Sequence, residues 1–191
     1  MNATTDDAAH VVIGDAPLRR DTLVRLARAP SGQLTIGETA RARVRAGEQR
    51  LAAALARGER VYGVNTGCGA LDDQRVDAER SARLQRNLLR SHAAGVGEPM
   101  ARDAVRAMIL ARLSTLCRGD SAVRLELVEA LGALLQHDVT PWVPTVGSLG
   151  VSDLTALAHV GLTLVGEGRA RVGDGPFIDA ARALEQVGLP P

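Results

Sequence analysis

Apolar residues recur along most of this chain at the three- and four-residue steps of helix faces, and glycines and prolines cut that pattern into segments. Val11, Val12 and Ile13 ahead of Gly14-Asp15 predict a short strand and a turn. A helix is expected over 21–29, broken by Pro30-Ser31-Gly32. Thr35 and Glu38 have capping-box spacing, and Ala40, Val44, Leu51 and Leu55 then follow at helical intervals up to Gly58. Beyond the glycine-rich stretch 62–69, helices are expected over 77–94, with Leu84, Leu88 and Ser91 on one face, and over 101–117, with Val105, Met108, Ile109 and Leu113. Gly119 stops the second, and Ser121 can cap a helix lined by Leu127, Leu131, Leu134 and Leu135. Pro141-Trp142-Val143-Pro144 leads into the stretch 147–159. Its helix face, Leu154, Leu157, Ala158, Gly161, Leu162 and Val165, ends at Gly166-Glu167-Gly168. Residues 169–175 suggest a small hairpin, and 178–187 a last short helix. Residues 1–10 read as a flexible polar tail and 11–191 as a single domain without repeats or low-complexity linkers. The expected class is mainly α with a few short strands.

Composition narrows the picture. Of the 191 residues 46% are apolar, enough for a folded core, but only 2% are aromatic, so that core must be built from Leu, Val and Ala. A net charge of +1 gives no electrostatic case for nucleic acid. All 23 basic residues are arginine. Cys68 and Cys117 stand far apart in no metal-ligand spacing, so no metal site is expected and a reduced, cytoplasmic setting is the simplest reading. No secretory signal is visible, and no apolar run approaches the ~20 residues needed to cross a bilayer.

Two stretches could carry chemistry. In 147–159, GSLGVSDLTALAH, the turn bracketed by Gly147 and Gly150 feeds Ser152, placed as an N-cap, and Asp153, suited to the positive end of a helix. Donors converge at such a turn, so it can hold a reactive group; it is equally an ordinary loop and cap. Tyr62, the only tyrosine, sits in a loop with Gly63, Gly67 and Gly69. A phenol there can act as general acid or base, or simply pack the loop.

GSLGVSDLTALAH resembles the prosthetic-group segment of the histidine and aromatic amino-acid ammonia-lyases, approximately GSxGASGDLxPLAH. The resemblance continues through VYGVNTGCG at 61–69 (YGxNTGFG in the family), LQRNL at 84–88 with SHAAGVG at 91–97, and RGDSAVR at 118–124 (RGxSGxR). Four motifs in the family's order cover most of the chain. They imply an ammonia-lyase-like N-terminal domain of the fumarase/aspartase-like helical superfamily, without most of the C-terminal helical bundle. The resemblance also implies a catalytic role for Tyr62 on a loop over the active site, and a substrate-binding role for Asn65. Ser91 and His92 fall where the family tunes its pocket; Ser-His there resembles the histidine-specific enzymes. His159 is expected to be structural, and His10 and His137 to be surface residues.

In the family an Ala-Ser-Gly tripeptide cyclises and dehydrates to methylidene-imidazolone. Here Val151-Ser152-Asp153 precede Leu154, and the family's glycine is missing. A β-branched residue and a full side chain make the required tight turn costly, so the prosthetic group is not expected and no other cofactor is implied. Ser152 then remains a cap or at most a hydrogen-bond donor in a repurposed pocket. The function expected is that of a subunit of a split ammonia-lyase-like enzyme, acting on a histidine-like or other polar amino-acid-derived substrate by elimination, addition or isomerisation. The partners expected are a second polypeptide supplying the C-terminal lyase half, further copies of the chain in a homo-oligomer, or both. The alternative is a non-catalytic scaffold or regulatory subunit derived from such an enzyme.

Overall fold

The computed structural model describes residues 10–29, 34–150 and 154–191, and it is mainly helical. The tail 1–9, the breaker at 30–33 and the 151–153 tripeptide lie outside the described residues. Strand β1 (Val11–Ile13) leads through α1 (Arg20–Arg28) to β2 (Leu34–Ile36), which lies parallel to β1 with Ile13 opposite Ile36. Thr35 is therefore a strand residue rather than a helix cap. Helix α2 (Glu38–Ala56) starts from Gly37 instead, and its cap comes from across the sheet: Ala40 N donates to Asp15 Oδ1 at 3.1 Å. Gly37 permits this approach, because a Cβ there would lie 2.1 Å from the same carboxylate oxygen.

The core is centred on α4 (Arg102–Leu116) and α5 (Leu125–Gln136), against which α1 and the first half of α2 pack. Val105, Ile109, Leu110 and Leu113 of α4 and Val128, Leu134 and Leu135 of α5 are buried together with Leu26, Val44 and Leu184. The α5 face of Leu127, Leu131, Leu134 and Leu135 finds its cover within the chain, with only Leu127 half-buried. Ser121 does not cap α5. The turn stays non-helical through Ala122, with φ of 52°, and the N-cap is Arg124, without a side-chain bond.

One charged group is built into this core. Arg106, 1% exposed, donates from Nε to Ala27 O at 3.1 Å and from Nη1 to Leu135 O at 3.2 Å and Asp138 Oδ1 at 3.1 Å. Arg102 shares the same carboxylate and donates to Ala29 O. The two guanidiniums occupy the carbonyl ends of α1 and α5, where a helix leaves acceptors unpaired and favours positive charge. Burial, and then the Arg102 charge, pull the Arg106 guanidinium below its usual value, and Asp138 offsets part of this.

Short strands finish the scaffold. β4 (Val139–Pro141) pairs antiparallel with β6 (Arg169–Val172), which pairs with β7 (Ile178–Asp179); β3 (Val96–Pro99) pairs antiparallel with β5 (Pro144–Val146). The hairpin at 169–175 is present, but Ile178 and Asp179 are its return strand, and α7 (Ala180–Gln186) starts only after them. Helices α3 (Ala78–His92) and α6 (Leu154–Leu164) pack on one another to one side of the core. None of the described α3 side chains is fully buried: Leu84, Leu88 and Leu89 are half-buried. Among the described residues no helix is long and apolar enough to cross a membrane.

Candidate functional site

The loop 58–77 is tied internally by its polar residues. Asn65 Oδ1 accepts from Val61 N at 2.8 Å while its Nδ2 donates to Glu59 O at 2.8 Å, so both ends of the amide are used within the loop. Thr66, 2% exposed, accepts from Gly63 N and donates to Gly67 O. Gly67 is needed for closeness, since a Cβ there would lie 2.3 Å from Leu71 O. Gly69 adopts left-handed backbone with φ of 59°, and its N–H donates to Tyr62 Oη at 2.9 Å. Tyr62 itself stands 63% exposed. Its oxygen accepts one loop hydrogen bond and keeps its own proton available. Cys68 is half-buried, its Sγ close to Gly63.

Helix α3 serves as the spine for this loop. Asp77 caps it by accepting from Arg80 N at 3.2 Å. Gln85 Nε2 donates to Gly63 O at 2.7 Å and Ser81 Oγ to Val64 O at 3.3 Å, fixing two successive carbonyls of the loop's tight turn. Neither residue is marked out in the sequence, because most positions of α3 are polar.

Six and seven residues beyond Gln85, about 10 Å along α3, come Ser91 and His92. His92 Nδ1 lies 2.8 Å from Leu88 O and 3.1 Å from Ser91 Oγ. A carbonyl only accepts, so Nδ1 carries the proton in the neutral ring and Nε2 presents a lone pair.

The 147–150 turn is brought to the same end of α3. Val96 of β3 pairs with Val146 of β5, and a Cβ on Gly147 would meet Thr155 Cγ2 at 2.8 Å and Gly95 Cα at 3.1 Å. Gly150 N donates to Ser148 Oγ at 3.2 Å, and Gly150 has left-handed backbone. His159 closes the junction, its Nε2 accepting from Gly95 N at 3.3 Å, and burial pushes its pKa below the usual imidazole value. Ser152, and with it the tripeptide that bears on the methylidene-imidazolone, lies outside the described residues.

Three of the four sequence motifs thus meet along α3, and the fourth does not. Residues 118–124 pack on α2, where Arg50 Nη2 donates to Gly119 O at 3.1 Å and a Cβ on Gly47 would lie 2.1 Å from that oxygen. Asp120 is exposed beside Arg118. His10 and His137 are exposed. Among the described residues no cluster of three His, Cys, Asp or Glu side chains is placed to hold a metal ion.

Exposed apolar residues lie in the segments just described: Leu71 in the loop, the paired Val96 and Val146, and Leu149 and Leu154, with Leu149 88% exposed.

Several known proteins are similar to this chain. The histidine ammonia-lyase of Geobacillus thermodenitrificans is 50% identical over 139 residues, covering 72% of this chain and 27% of that protein. The tyrosine ammonia-lyase of Cupriavidus metallidurans is 45% identical over 179 residues, 91% of this chain and 33% of that one. In three dimensions the ergothionase of Treponema denticola superposes with a TM-score of 0.90 at 32% identity, over 96% of this chain and 36% of that protein. The chain thus spans about a third or less of the length of these relatives. The family model for aromatic amino acid lyases matches residues 18–191, and this chain belongs to that family.

Proposed function

We propose that these residues form part of a lyase-type active site that acts on a histidine-like or other polar amino-acid-derived substrate. On this reading Tyr62 is its acid–base group. The phenol is exposed on a loop tied to α3, and its proton is not spent on any loop acceptor, as proton transfer requires. Ser91 and the bare Nε2 of His92 form a polar wall suited to a ring that carries a hydrogen-bond donor. The observation that carries the proposal is the convergence on α3 of the Tyr62 loop, the Ser91–His92 pair and the 147–150 turn.

The remaining part of the site comes from polypeptide other than these 191 residues. The exposed apolar side chains of Val96, Val146, Leu149 and Leu154, beside the end of α3, support such an arrangement, because uncovered apolar surface marks interaction sites. The methylidene-imidazolone does not fit the chemistry of the tripeptide. The amide of Asp153 would have to close on the carbonyl of Val151, with a side chain on both partners where the family has Ala and Gly. The reaction class is elimination, addition or isomerisation through Tyr62.

Two measurements test this reading. Intact mass should show no loss of two waters, the mass change that cyclisation with dehydration would leave; finding that loss overturns the argument from Val151 and Asp153. Turnover of L-histidine and of L-tyrosine should be assayed with the protein joined to its complementary lyase polypeptide. Activity on the polar-ring substrate that Tyr62→Phe abolishes supports the proposal, and activity indifferent to Tyr62→Phe refutes it.

A further inference from the structure

The three-stranded sheet β4–β6–β7 has two unlike faces. Val139 and Ala170 are fully buried toward the core helices. Arg169 and Arg171 alternate with Ala170 along β6 and so share the opposite face. Trp142 and Phe177 meet there edge to face, with ring centroids 4.7 Å apart. Arg169 lies over the Trp142 ring at 4.4 Å, and Arg171 over the Phe177 ring at 5.0 Å. Two of the three aromatic residues in the chain are therefore spent on fixing two guanidiniums side by side.

These cations lack the carboxylate partner that several other arginines of this protein have. Arg41 pairs with Glu129, and Arg102 and Arg106 with Asp138. Among the described residues Arg169 and Arg171 reach no carboxylate, although Asp179 stands opposite Arg169 in the ladder. Arg169 spends one nitrogen on Phe177 O at 3.2 Å. Arg171 Nε is buried without an acceptor, and so is Thr140 Oγ1, directly across from it in the β4–β6 register. A charge that has lost water and met no counter-charge is costly, and an orphaned buried donor calls for an explanation.

We propose that this face binds a small oxyanion, a carboxylate or phosphate group, clamped between Arg169 and Arg171. Guanidiniums two residues apart on one strand start from Cα atoms about 6.6 Å apart, a span an oxyanion bridges by accepting from both forks. Stacking on the rings holds both forks in place before the anion arrives, so little side-chain freedom is lost on binding. The rings themselves are covered by the guanidiniums and by each other, so the site reads the anionic group and not a flat base.

Trp142 is the only tryptophan, which makes it a reporter inside the site. Its emission should be followed while inorganic phosphate, or succinate, replaces chloride at constant ionic strength. The expected result is a saturable change with phosphate or succinate and none with chloride, the tighter of the two naming the group preferred. Arg171→Gln should weaken that response by about tenfold or more, and Arg171→Lys, which keeps the charge but loses the fork, should recover only part of it. If Arg171→Gln does not give a native melting curve, Arg169→Gln at the exposed position is used, with the same weakening expected. The proposal is overturned if neither anion gives saturation, if chloride acts equally, or if the response survives the folded variant unchanged.

Discussion

The α4–α5 core and the α3 spine are both amphipathic helical structure, yet they are held in different ways. Around α4 and α5 the apolar faces are covered by α1, α2 and α7, and even a guanidinium is taken inside and fully met. Helix α3 packs mainly on α6 among the described residues, and keeps its position through a few polar ties: Gln85 to Gly63, Ser81 to Val64, and Arg90 to Glu167. The core carries stability and none of the candidate chemistry. The α3 side carries the candidate chemistry with little burial of its own, as expected where binding loops are drawn from the less stable end of a structure.

The sharpest way to break this comparison is to strike the core at its charged centre. Arg106→Met should cost about 3–5 kcal/mol, because it leaves the carbonyls of Ala27 and Leu135 unpaired in the interior and takes from Asp138 one of its two arginine partners. Urea unfolding measures it. Next, Leu134→Ala should cost about 2–5 kcal/mol by leaving a cavity, whereas Leu88→Ala on half-buried α3 should cost about 1 kcal/mol. Equal losses at the two leucines would mean that α3 is as well buried as the core, and the contrast would fail.

The same division decides what was legible in the sequence. Helices with a full apolar face, such as α4, are readable because burial demands the 3.6-residue period. The family motifs point to Tyr62, Ser91 and His92, and these stand along one helix or on the loop tied to it. Thr35 misleads because its capping-box spacing is local, while the real cap is Asp15, 25 residues before the Ala40 amide it accepts from and brought close only by the parallel β1–β2 pair. Ser121 misleads in the same way, since the backbone turns left-handed at Ala122 before α5 can begin. Strands β3, β4 and β5 are too short for a two-residue period to show. The internal use of Asn65 by its own loop was hidden for another reason: a pocket residue and a loop tie require the same amide.

Acidification should separate the two regions more gently. His159 is held neutral by burial and accepts from Gly95 N through Nε2. Its folded pKa lies below the unfolded value of about 6.5, so as pH falls through that value the unfolded chain takes up a proton that the folded chain refuses. The contribution of this junction is intact above about pH 6.5 and declines below it. The Gly95 amide should therefore exchange faster at pH 5 than the pH dependence of exchange chemistry allows, while amides in α4 keep their protection. A Gly95 amide whose protection does not change would mean that the ring does not hold the turn.

The smallest effect is expected at the outer tie of α3. Glu167 accepts from Arg90 Nε and Nη2, both at 2.7 Å, and lies 3.8 Å from Arg86. The hydrogen bond to Arg90 holds the carboxyl below the usual carboxylate range, partly opposed by desolvation. With the folded pKa depressed, the tie is fully present above the unfolded value of about 4.3 and is lost as pH falls through the lower folded value. An ion pair this open to water adds little to global stability, so Glu167→Gln should leave the unfolding midpoint nearly unchanged. What should change is local. Amide exchange over residues 86–92 should quicken in Glu167→Gln at neutral pH and match that of the unmodified protein in acid. If Glu167→Gln lowers global stability as far as Leu134→Ala does, α3 belongs to the core's cooperative unit and the two regions are one.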